Sequence, residues 1–484
     1  VSIFKYSSLM KKYLIDQKKN YKADYGFVNR SSAIFYVINK KIKASISILN
    51  YWKIKNNVDV TLLITYRNLN GSIVDRKVFN FENSNVINLS NYPFLEGSVE
   101  IEAFGKQNLR IPYAAVMCMY ENTSSISQIH SYTRNHSLIE IENNEAFTNV
   151  FESCWTTGDI KENTKYILIF HNGHSEIESQ VGELILTNSQ GKDKKIKIRL
   201  KKIKKFETVK LDYTKYLKKY KKFFGNNFAY GSINFKNYSS FSRLMHMKIS
   251  KSEDDLQVTH TNFNYSIIDT NFIKENQALM KIPNLSGDIE NYLTIVYPKY
   301  AKGNYTAFKN DKNKILFKNN TPIVFKNNSK SKKIIFQTQK KHFPSRIVTG
   351  LFGSIDDTKI PFECSLGIVH PQRRGKRFQW GTVGHNHDNK IFLENYKEFY
   401  EIPKKIILTF RLYSSENIKY FEKKIKYKNL ELIPRKFHIK ELFKNFEPFL
   451  NNSYGYMSLW SNFEGFIANS LLKKNKSVSI EHFF

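Results

Sequence analysis

The sequence has few of the residues that mark several special classes of protein. Three Cys in 484 residues exclude a disulfide framework and a Cys-rich zinc site. With only 20 Gly and 11 Pro, long flexible linkers are not expected. No apolar run approaches the roughly 18 residues of a membrane-spanning helix, so no membrane span is expected. The sequence also contains no phosphate-binding glycine loop, nucleophile elbow or His-Glu-x-x-His motif.

The net charge is strongly positive, but arginine is scarce. The formal charge is +33 at pH 7, and 13 of the 76 basic residues are Arg. Proteins that read bases favour Arg, because its planar guanidinium binds two acceptors at once. The Lys residues are dispersed, and the densest block, 192–222, opens with alternating Lys and Ile, which predicts a strand with a solvated basic face. We therefore expect weak attraction for polyanions and no specific nucleic-acid binding.

Neither end of the sequence shows a recognisable targeting signal. The first 22 residues lack the apolar core and cleavage site of a secretory signal, and the last residues, SVSIEHFF, carry no targeting signal. Together with the low Cys content, this pattern predicts a cytoplasmic protein.

Strand-forming patterns dominate the chain, which is 41% hydrophobic and 15% aromatic. Segments rich in β-branched and aromatic residues predict strands at 58–66, 97–104, 166–170, 182–188, 231–235, 292–297 and 405–413. Helical patterns are short, and they occupy 214–224, before Gly225, and 438–446, before Pro448. Because long amphipathic helices are missing, a parallel α/β fold is not expected. The predicted fold class is all-β.

One phrase recurs four times along the chain. A Gly opens an alternating strand, a turn and a second strand follow, and a third strand ends on a His. The four terminal residues are His130, His260, His385 and His482. The period suits antiparallel β-sandwiches of the immunoglobulin or fibronectin type, which take about 100 residues each. We therefore predict four tandem modules that abut one another, at 1–140, 141–270, 271–390 and 391–484.

The repeated His has two interpretations. A ring nitrogen can tether a backbone group at the end of a strand, as corner residues do in β-sandwiches. Alternatively, strand ends of adjacent modules meet, and His260 approaches His130 or His171. Binding clefts favour such junctions between domains.

A candidate metal site follows the strand pattern at 166–170. His171 and His174 have a spacing at which two imidazoles can bind one metal ion on a tight turn, and Glu176 would complete the set. This pattern makes a divalent metal such as zinc the alternative to a protein without a cofactor. Asn172-Gly173 also suits the turn of a β-hairpin between 166–170 and 182–188. In that case the two His are solvated surface residues.

The candidate ligand-binding residues combine cationic side chains with aromatic rings. An Arg cluster beside a Trp suits phosphate, carboxylate or acidic-sugar recognition, and one loop holds three of the 13 Arg within five residues. The predicted ligand-binding residues are Arg373, Arg374, Arg377 and Trp380 in that loop, and His130, Arg134 and Trp155 near the junction of the first two modules.

Two classes of function stay open at this stage. The first is a non-enzymatic recognition or scaffold protein that binds a glycan, another anionic polymer or a protein partner. The second is a metal- or His-dependent enzyme that acts on a carbohydrate or its esters. Its site would lie at the junction of the first two modules and use His130, His171, His174 and Glu176. Convergence of these four side chains would favour the enzyme.

Overall fold

The computed structural model describes residues 29–79, 84–89, 92, 94–105, 116–135, 151–225, 228–236, 240–261, 267–269, 277–289, 291–297, 306–309, 313–316, 321–326, 333–337, 342–344, 347–371, 373–415 and 419–484. Strands dominate these ranges, and every pairing between them is antiparallel. The predicted all-β fold class is confirmed. In the described part of the chain, no helix has the length and apolarity needed to cross a membrane.

The strands follow one another in four groups. The first group is β1 (Asn29–Ile38), β2 (Lys43–Leu49), β3 (Thr61–Asn68), β4 (Ile73–Phe79), β5 (Ser84–Asn88), β6 (Glu96–Gly105), β7 (Val116–Glu121), β8 (Ile126–His130) and β9 (Thr133–Asn135). The second is β10 (Phe151–Asp159), β11 (Thr164–His171), β12 (Gln180–Thr187), β13 (Asp193–Leu200), β14 (Thr208–Asp212), β15 (Phe228–Phe235), β16 (Ser240–Ser242), β17 (Met245–Ser250) and β18 (Leu256–His260).

The third group is β19 (Ile267–Asp269), β20 (Gln277–Lys281), β21 (Asn291–Tyr297), β22 (Thr306–Lys309), β23 (Asn313–Leu316), β24 (Ile323–Lys326), β25 (Lys333–Gln337), β26 (His342–Pro344), β27 (Val348–Ser354) and β28 (Phe362–Ser365). The fourth is β29 (Phe378–Gly384), β30 (Asp388–Asn395), β31 (Ile406–Ser414), β32 (Phe421–Tyr427), β33 (Lys436–His438), β34 (Tyr454–Ser461), β35 (Phe466–Lys474) and β36 (Ser477–His482). The helices of the described ranges are α1 (Tyr51–Asn56), α2 (Thr214–Lys219), α3 (Lys221–Phe224), α4 (Ile439–Leu442), α5 (Phe446–Leu450) and a 3-10 turn at Leu430–Leu432.

The strands assemble into pairs of sheets that enclose apolar cores. In the first group the strand orders of the two sheets are β16-β9-β1-β6-β3-β4 and β5-β2-β7-β8, and in the second they are β10-β15-β12-β13 and β14-β11-β17-β18. In the third group they are β20-β25-β22-β23 and β24-β21-β27-β28, and in the fourth they are β29-β34-β31-β32 and β33-β30-β35-β36. Strands β19 and β26 form a separate pair. Such facing antiparallel sheets constitute a multi-module β-sandwich architecture. Pairings cross the predicted boundaries, since β16 joins β9 and β29 joins β34. In addition, β30 spans the boundary at residue 390 and pairs with β33 and β35. The exact division into modules stays a prediction.

Four edge strands meet at the centre of the molecule. We call β8, β18, β28 and β36 the central strands; each is the last strand of one four-stranded sheet. β8 and β28 each contact both β18 and β36, so the four strands close a ring. Apolar clusters fill the spaces between groups, for example Tyr230 with Phe352 and Met119 with Tyr456. Burial at these junctions holds the modules against one another.

Side chains hydrogen-bond the open edges of the central strands. The Val258 N–H donates to Ser127 Oγ at 3.0 Å, and the Gln128 N–H donates to Ser479 Oγ at 3.0 Å. The Ile360 N–H, just before β28, donates to Asp255 Oδ2 at 2.7 Å. Edge strands carry unpaired backbone groups that are costly to bury. Short polar side chains therefore replace the missing neighbouring strand along the ring.

Several local patterns were interpreted correctly. In β13, Ile196 and Ile198 are buried while Lys195 and Lys197 are exposed, so the basic face is solvated as expected. The helical pattern at 214–224 forms α2 and α3. Cys118 and Cys364 are buried and free, which agrees with their apolar surroundings in the sequence.

Two local predictions were wrong. Pro448 does not stop the second helical pattern, since it lies inside α5; in the first turn of a helix its missing N–H removes no intrahelical bond. The segment 172–179 is not a hairpin turn. β11 pairs with β14 and β17, whereas β12 pairs with β13 and β15. The chain at 172–179 therefore crosses from one sheet to the other.

The glycine of the repeated phrase has a steric role in the second group. Gly231 lies opposite Trp155 in the pairing of β10 with β15, and a Cβ at Gly231 would lie 2.3 Å from the indole ring. Trp155 is fully buried, so its ring cannot move aside cheaply. We expect Gly231→Ala to lower the free energy of unfolding by about 2 kcal/mol, measured by denaturant titration. Gly367→Ala is the control, because its Cβ would meet only Arg373 Nη1 at 3.5 Å; an equal loss there would contradict the steric explanation.

Candidate functional site

A cavity of about 670 Å³ lies where the central strands end. The last residues of the four strands, His130, His260, Ser365 and His482, all line it. This volume is within the range of about 300–1,000 Å³ that is common for small-molecule sites. Three of the four terminal His of the repeated phrase thus converge on one cavity.

The lining of the cavity combines positive charge with aromatic rings. Its aromatic side chains are Tyr51, Phe378, Trp380, Tyr396, Phe483 and Phe484. Its cationic side chains are Lys55, Arg243, Lys281, Arg373 and Lys376, whereas Glu394 is the one acidic side chain among the described lining residues. Lys281 pairs with Glu398 at 2.9 Å. Arg243 and Arg373 make no ion pair with a carboxylate of the described ranges, so their charge is available to an anion.

Three histidines and a glutamate cluster on one wall. The His130 ring lies 4.5 Å from the His260 ring and 4.8 Å from the His482 ring, measured between centroids. The expectation that His260 approaches His130 is therefore confirmed. Glu481, buried behind the rings, places Oε2 3.3 Å from His130 Nδ1 and Oε1 2.8 Å from His482 Nδ1. The Phe484 ring packs at a tilt against both His130 and His482.

Burial lowers the pKa of two of these imidazoles, His130 and His260. Burial lowers the pKa of His130 to about 4, although Glu481 acts in the opposite direction. Burial, helped by the positive charge of Arg243, lowers the pKa of His260 well below its ordinary value. The His260 Nδ1–H donates to the Thr261 carbonyl at 3.0 Å, and Nε2 faces Arg243 Nη1 at 3.4 Å. In this tautomer of the neutral ring, Nε2 carries no proton, so it can accept a hydrogen bond from the Arg243 guanidinium.

The same electrostatics act on other residues of the cavity lining. Burial, together with the nearby charges of Arg373 and Lys55, lowers the pKa of Lys376 to about 8. Burial and Arg373 also lower the pKa of His370. Crowded cations in a partly buried site repel one another, and a bound anion would relieve that repulsion.

The structure brings together some of the predicted ligand-binding residues. His130, Arg373 and Trp380 line the same cavity. Arg374 and Arg377 are exposed, and Arg377 pairs with Glu464 at 2.7 Å. Trp155 is buried in another core, where its indole N–H donates to Tyr213 at 3.0 Å. Arg134 lies on β9 and does not line the cavity. The ligand-binding role of the whole set stays a prediction.

The predicted metal ligands do not converge. His171 is buried, and its Nε2 and Nδ1 lie 2.6 Å from the Tyr132 hydroxyl and 2.9 Å from Thr208 Oγ1. Glu176 is exposed and pairs with Lys202 at 2.8 Å. His171, His174 and Glu176 form no cluster of three ligand atoms within the described ranges. The geometry therefore does not support a metal ion at this place or the enzyme hypothesis that relied on it.

Other predictions fall elsewhere or outside the described residues. His385 was expected at an equivalent strand end, but it follows β29 and contacts Glu447, with 3.0 Å between Nδ1 and Oε2. This expectation was wrong because the third strand of that phrase belongs to the sheet of β34. His136, which follows His130 by six residues in the same His-rich stretch of the sequence, lies outside the described residues.

Sequence reasoning missed several residues of the cavity. Arg243, His370 and Lys376 line it, and Glu481 supports it from behind. Lys376 lies within the Arg loop and Glu481 precedes a terminal His, so both had a signal in neighbouring residues. Arg243 is one of only 13 Arg, but it stands alone in its segment.

Comparison with known proteins gives no assignment. No protein-family model matches the sequence. A search of curated proteins finds no significant match either. The proposal for this protein therefore depends on the cavity itself.

Proposed function

We propose that the protein is a recognition module that binds an acidic saccharide in the central cavity. The observation that carries this proposal is the convergence of Arg243, Arg373 and Lys376 with aromatic walls in one cavity. Guanidinium groups bind carboxylates and phosphates through paired hydrogen bonds, and the faces of Trp and Tyr rings offer apolar surface beside them. An anion that carries a sugar ring satisfies both features.

The lining charge favours an anionic ligand over a neutral glycan. Two of the cations, Arg243 and Arg373, lack a carboxylate partner among the described residues, and the Arg243 Nε is buried without a hydrogen-bond partner. A buried donor without a partner is costly, so a ligand oxygen that accepts from it gains binding energy. A neutral sugar would leave this positive charge uncompensated.

The test is a calorimetric titration with a hexuronate, a nine-carbon sialic acid and a sugar phosphate, with glucose as the neutral comparison. We expect binding of at least one acidic sugar and none of glucose. Arg373→Gln should weaken binding about 10- to 100-fold, because a charge-assisted hydrogen bond contributes about 1.5–3 kcal/mol.

Arg374→Gln is the matched control, since Arg374 lies next to Arg373 but is exposed and does not line the cavity. It should leave the affinity unchanged. Binding should also weaken as the pH rises through about 8, where Lys376 loses its proton. Equal binding of glucose, or equal effects of the two Arg variants, would argue against the proposal.

A further inference from the structure

Glu481 lies between two imidazoles on the wall of the cavity. Its Oε1 and Oε2 face His482 Nδ1 and His130 Nδ1. The three potential ligand atoms all lie within 4.8 Å of one another, and they form the one such group of three in the described part of the chain. Two of the three residues, His130 and Glu481, are more than nine-tenths buried.

We propose that His130, Glu481 and His482 together bind one divalent transition-metal ion of the zinc class. Imidazole nitrogen with carboxylate oxygen is a ligand set that zinc accepts, and three protein ligands leave one position of a tetrahedron open. A metal–ligand distance of about 2.0–2.2 Å requires only a modest contraction of the observed cluster.

The hydrogen bonding of the cluster supports a ligand rather than a simple ion pair. The Nδ1 atoms of His130 and His482 are both buried, and neither has a partner with hydrogen-bond geometry, although a carboxylate is adjacent. Buried polar nitrogens are normally satisfied. A cation placed among the two nitrogens and the carboxylate would satisfy all three groups at once.

The open position would face the cavity, because His130 and His482 both line it. His260 is not a ligand, since its two nitrogens contact Thr261 and Arg243. A divalent ion held by two neutral imidazoles and one carboxylate keeps a net positive charge. It would therefore add an electrophilic centre to the proposed saccharide site, which goes beyond recognition by Arg and Lys.

The experiment is a titration of the tag-free, chelator-treated protein with Zn²⁺ by calorimetry and with Co²⁺ by visible absorption. We expect one equivalent of either ion, and a Co²⁺ spectrum of the intense four-coordinate type. His482→Ala should weaken binding more than tenfold. Glu481→Gln should do the same, and it provides a second variant if one of the two folds poorly, as judged by circular dichroism.

His385→Ala is the matched control, because this terminal His of the repeated phrase lies outside the cavity and should leave metal affinity unchanged. Sub-stoichiometric binding, a six-coordinate spectrum, or equal affinity of the His482→Ala variant and the native protein would overturn the metal site. Saccharide titrations in excess chelator test the cavity separately. A negative result for the metal site would therefore not decide whether the cavity binds a saccharide.

Discussion

Acid is expected to destabilise the protein well above the pH at which carboxylates are protonated. Burial lowers the pKa of His171 to about 3, from about 6.5 in an unfolded chain. Below pH 6.5 the unfolded state binds a proton that the folded state excludes, so stability falls as the pH falls. His171 alone accounts for about 2 kcal/mol between pH 6.5 and 5, and for about 4 kcal/mol by pH 3.

The measurement compares denaturant unfolding of the native protein and of His171→Gln at pH 7 and pH 5. The decrease in the free energy of unfolding from pH 7 to pH 5 should be about 2 kcal/mol smaller in the variant than in the native protein. Thr208→Val is the control, because it removes the partner of His171 Nδ1 but keeps the buried imidazole. It should lower stability at both pH values and preserve the difference. An unchanged pH dependence in His171→Gln would contradict this explanation.

Removing Asp255 is expected to loosen the ring of central strands. Its side chain is buried, accepts the Ser125 Oγ–H at 2.9 Å and accepts the Ile360 N–H at 2.7 Å. Asp255→Ala would leave the Ile360 N–H buried without its acceptor and the Ser125 Oγ–H with only a long contact, 3.5 Å, to the Leu256 carbonyl. Hydrogen bonds to a charged group contribute about 1.5–3 kcal/mol each. We expect the free energy of unfolding to fall by about 3 kcal/mol.

Denaturant midpoints check this prediction, with Asp254→Ala as the control. Asp254 is the adjacent residue, but it is exposed, and its side chain accepts hydrogen bonds from two local serines, Ser250 and Ser252. Asp254→Ala should lower the free energy of unfolding by less than about 1 kcal/mol. The loss of stability in Asp255→Asn should lie between those of Asp254→Ala and Asp255→Ala, because an amide keeps one acceptor oxygen. Similar losses for Asp254→Ala and Asp255→Ala would show that the ring contact is not the cause.

The candidate site was only partly visible in the sequence. Arg373 and Trp380 were selected because Arg is rare here and the loop concentrates it. His130 was selected from a repeated strand end, and the structure places it beside His260 as one interpretation required. His171 and Glu176 had equally suggestive spacing, but β11 and β12 lie in different sheets, so sequence proximity did not translate into a shared site.

The sequence by itself determined the strands, their buried faces and the recurrence of one phrase, because alternation with a period of two and turn residues act over a few neighbours. The tertiary structure alone decided which edges meet. β8 and β36 lie about 350 residues apart in the chain, and their contact depends on the packing of whole sheets. Convergence of His130, Glu481 and His482 required that packing. No local pattern encodes which strand ends share a cavity, since any exposed edge with the same alternation could have occupied that position.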